Sequence, residues 1–125
     1  MQSTNKTRRI AVASADGKTI NEHFGKASSF LIYEVGKEEQ TFIEKRSVTP
    51  LSCGSGHSED GILLTIDALK DCTAVIAVKV GGAVKRALEI SGISVFERAD
   101  SIDNALSKLA AYYVKTGVIK NENSI

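Results

Sequence analysis

A chain of 125 residues with 42% hydrophobic side chains holds enough apolar surface for one core and has the length of a single domain. Its 16 basic and 15 acidic residues nearly cancel to a formal charge of +1 and form no basic stripe, which argues against a nucleic-acid partner. Two cysteines without a secretory signal point to a reduced, cytoplasmic setting rather than a disulfide scaffold, and no apolar run approaches the roughly 20 residues of a membrane helix.

Met1 to Thr7 is polar and reads as a disordered leader covering residues 1–7. Ile10-Ala11-Val12-Ala13 is a continuous apolar run, the pattern of a strand buried on both faces, and Asp16-Gly17 marks the turn after it. Phe30 to Val35 is rich in aromatic and β-branched residues and reads as the second strand. Gly36-Lys37-Glu38-Glu39 is a polar turn, so Thr41 to Val48 returns as the third strand of an antiparallel hairpin, polar enough for a sheet edge. Pro50 to Gly61 is a long loop of small residues. Asp60 is placed to cap the helix that follows, where Ile62, Leu63, Ile66 and Leu69 recur at helical spacing.

Thr73 to Val80 reads as a second buried strand. Gly81-Gly82 opens a helix with an apolar face of Val84, Ala87, Leu88 and Ser91, and Gly92 stops it. Ile93 to Phe96 is a short fifth strand. Asp100 or Ser101 caps the last helix, whose stripe of Ile102, Ala105, Leu106, Leu109, Ala110 and Tyr113 is the clearest in the chain. Gly117 ends it, leaving residues 118–125 as a flexible tail to a single domain over 8–117. The order β-β-β-α-β-α-β-α predicts an α/β fold. Its sheet is mixed and five-stranded, in the order 3-2-1-4-5 with strand two antiparallel, and helices cover both faces. Strands one and four then present their C-terminal ends together, the edge at which open α/β sheets take ligands.

Two loops concentrate the soft donors. Ile20-Asn21-Glu22-His23-Phe24-Gly25 and Leu51-Ser52-Cys53-Gly54-Ser55-Gly56-His57 hold both histidines and one of the two cysteines, the side chains that bind transition metals and iron–sulfur clusters. Small neighbours leave the Cys53 thiol accessible, as a metal ligand or as an ordinary surface cysteine. Cys72 sits at a helix-to-strand junction and reads as a small core hydrophobe. Phe24 can bury and anchor the first loop while His23 stays outward, either as a ligand or merely hydrogen-bonded nearby. His57 lies four residues after Cys53, close enough to share a metal if the loop curls. One cysteine and two histidines fall short of the four ligands of a structural zinc and fit better a labile cluster held by few ligands. Gly81-Gly82, beside Lys79, Lys85 and Arg86, offers free amides to an anion, though it lacks the Walker A and dinucleotide endings and a tight turn explains it equally. A Cys53–histidine dyad lacks an orienting third group or oxyanion hole, and the first strand carries no carboxylate for a two-metal nuclease.

Ile10 to Ala13, Ile20-Asn21-Glu22-His23-Phe24-Gly25-Lys26-Ala27 and Phe30-Leu31-Ile32-Tyr33-Glu34 together resemble the dinitrogenase iron–molybdenum cofactor biosynthesis family. This is the NifX-like domain, also found as the C-terminal part of NifB and the core of NafY. The likeness continues through Cys53-Gly54, Asp60-Gly61-Ile62, Leu69-Lys70-Asp71-Cys72 and Ala74 to Gly81, and fades after Gly92. It implies a ribonuclease H-like fold and a protein that binds iron–sulfur precursors of the nitrogenase cofactor. It places His23 and Cys53 at the metal cluster, with His57 a weaker carry-over. The NifB tail follows a radical-SAM domain that this sequence lacks, and the cysteine commonly found there after the strand-four glycine is replaced in Gly81-Gly82-Ala83.

The expectation is therefore a non-enzymatic, cytoplasmic carrier or storage protein for an iron–sulfur cluster or iron–molybdenum cofactor precursor. Its metal ligands are His23 and Cys53, with His57, Gly81 and Gly82 completing the cofactor site. Its partners are cluster-donating and cluster-accepting assembly proteins, with neither nucleic acid nor membrane, and it is a monomer or weak dimer. The alternative is a regulatory or interaction module that binds a small anion or nucleotide at Gly81-Gly82.

Overall fold

Ile10, Ala11, Val12 and Ala13 expose no surface at all, so the apolar run that opens the sequence is the centre of the protein. The structure, a computed structural model, describes residues 7–37, 39–50 and 59–119, with only the backbone of 59 and 60. Its strands are β1 (Thr7–Val12), β2 (Ser29–Gly36), β3 (Gln40–Ser47), β4 (Ala74–Ala77) and β5 (Ser94–Glu97). Its helices are α1 (Glu59–Ala68), α2 (Gly82–Ile90) and α3 (Ile102–Thr116), with one 3-10 turn at Phe24–Lys26. The sheet runs β3-β2-β1-β4-β5, the order expected from the hairpin followed by helix–strand alternation. β1 pairs antiparallel with β2 (Ile10 opposite Tyr33) and parallel with β4 (Ile10 opposite Ala74), while β5 extends the sheet parallel to β4.

Strand alternation divides the core in two. Ala11 and Ala13 face a cluster with Phe24, Phe30, Leu69 and Leu88, covered by α1 and α2. Ile10 and Val12 face Ile76, Ile102, Leu106 and Tyr113, covered by α3. The buried stripe of α3 is the one its spacing predicts, from Ile102 to Tyr113. Ser101 is its cap, accepting from the Asn104 amide, and Gly117 (φ 84) closes it in the left-handed region that glycine reaches without strain. Past that turn, Ile119 is fully buried, so the packed chain continues beyond Gly117.

Three local expectations shift. The fourth strand stops at Ala77 rather than reaching Val80, because Val78 and Lys79 turn to bond the His23 loop instead of a neighbouring strand. α1 begins at Glu59, placing Asp60 inside its first turn. Its core face is Ile66 with the half-buried Ile62, followed by Leu69, whereas Leu63 is 61% exposed and leaves the expected stripe. On β3, Ile43 is the extra residue of a β-bulge opposite the Ile32–Tyr33 step, a kink that makes this exposed edge a poor template for another strand.

Arg46 of β3 closes the far end of α1. No basic residue stands in that helix's last turn, and the Arg46 guanidinium donates to the Ala68 carbonyl at 2.8 Å, supplying positive charge where the helix end favours it. The same group donates to both Asp71 oxygens, at 2.6 and 2.8 Å, and Arg9 of β1 reaches that carboxylate at 3.0 Å. The Arg46 hydrogen bonds hold the Asp71 carboxyl well below the usual carboxylate range, while burial pushes the neighbouring Cys72 thiol up to about 12. Cys72 is thus the inert core side chain that its position implied.

Asp71 is nearly half exposed, so its pairing is worth less than its shifted titration implies, and Asp71→Asn should cost about 1 kcal/mol at neutral pH. Because the folded carboxyl titrates below the unfolded one, the unfolded chain takes up a proton that the native state refuses. This stabilisation is present above roughly pH 4 and fades as the pH falls below it. The gap in urea midpoints between wild type and variant should hold from pH 7 to about 5 and narrow progressively as the pH falls below about 4; a gap of constant size down to about pH 2.5 would contradict the assignment.

Candidate functional site

β1 and β4 run in the same direction, and β3, antiparallel to β2, runs with them, so all three end at one edge of the sheet. The chain leaves β3 there beside the His23 loop, since the Val48 amide donates to the Ser28 carbonyl at 2.9 Å just past the 3-10 turn. Cys53 and His57 follow this exit and lie outside the described residues.

The His23 loop is tied down from its first residue. Asp16 accepts from the Lys18 and Thr19 amides and the Thr19 hydroxyl, each at 2.8 Å, and from the Ser14 hydroxyl at 3.1 Å. These bonds, led by the Thr19 amide, keep its carboxyl well below the normal range. Asn21 of the histidine motif accepts from the Ala15 amide at 2.9 Å through its side-chain oxygen, folding the loop back on itself. The backbone then crosses the sheet edge in three bonds. Ile20 N–H donates to the Asp100 carbonyl (2.8 Å), Val78 N–H to the Glu22 carbonyl (3.0 Å), and Phe24 N–H to the Lys79 carbonyl (2.9 Å). Ile20 enters the α3-side core and Phe24 the opposite one, where its ring packs 5.0 Å from that of Phe30. Burying the Phe24 ring contributes about 2–3 kcal/mol of hydrophobic stabilisation.

His23 is left exposed on this fixed backbone, extended (φ −74°, ψ 145°), with its side chain capping nothing. Phe24 anchors the loop as expected. Gly25 does not supply a tight positive-φ turn: it lies in the 3-10 helix without a positive φ, and a Cβ there would meet nothing within 4 Å. The same holds at Gly81 and Gly82. Gly81 is extended (φ −60°, ψ 152°) before α2, and methyl groups at either position would point into open space. The turn geometry therefore does not demand these glycines, and three of them line the edge where the histidine stands. Glycine without a conformational or packing reason marks backbone left open to close approach from outside.

Glu97, at the end of β5, positions this turn by accepting from the Val80 amide at 2.8 Å. Sequence reasoning missed Glu97 and the bonds of Asn21 and Asp16. Glu97 carries a recoverable signal, as the sole acid in an otherwise apolar strand end. Its carboxylate also brings negative charge close to the start of α2, where the Gly81 N-cap has no side-chain hydrogen bond. Among the described residues no three His, Cys, Asp or Glu side chains converge as a metal-holding group. No described helix is long and apolar enough to cross a membrane.

This open mixed α/β sheet has an exposed imidazole and glycines at the carboxyl ends of its parallel strands, the edge at which sheets of this architecture commonly take ligands. The family model for dinitrogenase iron-molybdenum cofactor matches residues 6–112, and the chain belongs to that family. It is 32% identical to the protein NifX of Klebsiella pneumoniae, over 91% of this chain and 72% of that one. It is 38% identical to the FeMo cofactor biosynthesis protein NifB of Frankia alni, over 84% of this chain and 21% of that one. The chain thus spans only about a fifth of the length of such NifB relatives. The crystal structure of PH0822 shares the fold (TM-score 0.64, 20% identity, 83% of this chain and 89% of that one). So does the MJ0327 protein of Methanocaldococcus jannaschii (TM-score 0.55, 16% identity, 85% and 90%).

Glu97→Ala should leave the Val80 amide, buried in the turn, without its acceptor, costing about 1–2 kcal/mol and speeding exchange of that amide. Glu97→Gln, which keeps an acceptor oxygen, should lose less than half as much. Equal losses in the two variants would mean that the hydrogen bond does not set the turn.

Proposed function

We propose that this chain is a non-enzymatic carrier or storage protein for an iron–sulfur cluster or iron–molybdenum cofactor precursor in nitrogenase cofactor assembly. It takes its cargo from a cluster-donating protein and yields it to a cluster-accepting one, in the cytoplasm, as a monomer or weak dimer. The observation that carries this reading is the exposed His23, held on a stitched loop at the edge from which the Cys53 segment departs. The NifB relatives, named FeMo cofactor biosynthesis proteins, and the family model for dinitrogenase iron-molybdenum cofactor support the cargo class. The hairpin-first mixed sheet also supports a ribonuclease H-like assignment of the fold.

In this reading the His23 imidazole and the Cys53 thiolate are the metal ligands, with His57 a further donor. Gly81 and Gly82 let the inorganic surface approach the backbone, and their amides donate toward its sulfides or anionic groups. Few protein ligands make a cargo easy to surrender, which a carrier needs and a structural metal site avoids. The His23 loop presents its imidazole on a backbone already hydrogen-bonded to the sheet edge, so recognition begins there. Loading with iron and sulfide under anaerobic conditions should give wild-type protein that retains both through gel filtration. His23→Ala and Cys53→Ala should each retain at least fivefold less, with unchanged melting. Retention equal to wild type in both variants would remove the ligand assignment.

A second reading, a small anion at Gly81-Gly82, is favoured by the absence of a side-chain cap at Gly81 and by the nearby Lys79 and Lys85. The Glu97 carboxylate opposes it by already supplying negative charge there. Millimolar inorganic phosphate in metal-free buffer should therefore leave the melting temperature within about 1 °C of its starting value; a rise of several degrees, lost in Lys79→Ala, would reverse the ranking.

A further inference from the structure

Among the described residues, the α3 side of the sheet is covered by that one helix. Five strands spaced about 4.8 Å apart are wider than one helix of about 10 Å. A cavity of about 160 Å³ is left between α3 and the edge strand β5. Ile76 and Leu109 line its apolar interior. The rings of Phe96 and Tyr112 also line it and meet edge to face, with centroids 6.4 Å apart and an interplanar angle of 78°. Tyr112 is 52% exposed, a large aromatic surface left beside an opening. An apolar cavity of about 150 Å³ is enough for one benzene-sized group.

Two cations, Arg98 and Lys108, complete the lining. Among the described residues, the carboxylate that pairs with them is Asp100, and it is committed elsewhere. It accepts from the Asn104 side-chain amide with both oxygens (3.1 and 2.9 Å) and from the Ser101 amide (2.8 Å), bracing the start of α3. Arg98 reaches it only through Nε, at 3.1 Å, leaving its terminal amino groups without a hydrogen bond among the described residues. Lys108 Nζ stands 4.0 Å away. Two positive side chains against one negative leave a net positive charge at the rim of an apolar, aromatic-walled hole.

We propose that this cavity binds a small organic monoanion of the aryl carboxylate class. The ring packs against the Phe96–Tyr112 pair over Ile76 and Leu109. The carboxylate accepts from the terminal amino groups of Arg98 and from Lys108. None of the lining residues is among those assigned to the candidate metal site, and the cavity lies on the α3 face of the sheet.

Titration of the isotopically labelled full chain with benzoate tests this. The expected result is saturable shifts centred on the Ile76 and Leu109 methyls. Benzyl alcohol, which keeps the ring, and acetate, which keeps the charge, should each bind at least tenfold more weakly. Arg98→Gln with Lys108→Gln, both at exposed side chains, should weaken benzoate at least tenfold while leaving the shifts of the His23 loop unchanged. Equal binding of benzyl alcohol, shifts centred elsewhere, an unaffected double variant, or no saturation in the millimolar range would each overturn the proposal.

Discussion

The three backbone hydrogen bonds that lace residues 20, 22 and 24 to Asp100, Val78 and Lys79 are the constraint on which the candidate site depends. A loop this polar has little apolar surface with which to hold itself. It is fixed because its alternate residues satisfy the segments that leave β4 and β5, with Ile20 and Phe24 pinned in opposite cores. The imidazole between those anchors therefore inherits the rigidity of the sheet. Ordering a long loop on binding costs roughly 1–2 kcal/mol per residue in backbone entropy, and here that cost is met during folding.

The same edge explains why the sheet is built as it is. A hairpin puts two antiparallel strands on one flank, and two crossovers put parallel strands on the other. The result is that β1, β3 and β4 all deliver their exits to one rim. The family is defined over residues 6–112, almost the whole of the described body, yet the same domain forms only about a fifth of NifB relatives.

Much of this was legible in the residue order. The buried strands announce themselves as unbroken apolar runs, and the strand order follows from a short hairpin and two helical crossovers. The α3 stripe from Ile102 to Tyr113 is read directly from its period. Leu63 was misplaced because α1 is apolar nearly all round, so spacing could not say which side meets the sheet; the contact with α2 decides it. The fourth strand was read too long because Val78 and Val80 are apolar for reasons of burial in a turn rather than in a ladder. For the site, the histidine motif was found, but Glu97, Asp16 and the oxygen of Asn21 act through partners far along the chain or through turn geometry that composition does not reveal. The anchoring role given to Phe24 follows from an aromatic residue next to a polar motif, and its packing on Phe30 bears it out.

The bare rim at Gly25, Gly81 and Gly82 has a consequence for how this domain can be altered. At Gly82, inside the first turn of α2, the fold itself has no use for hydrogen in place of a methyl, so anyone hardening the chain by raising helix propensity would find alanine welcome there. Screens that reward only heat resistance or yield would then drift toward a sturdier protein with a bulkier rim, and the melting curve alone would register no penalty for it.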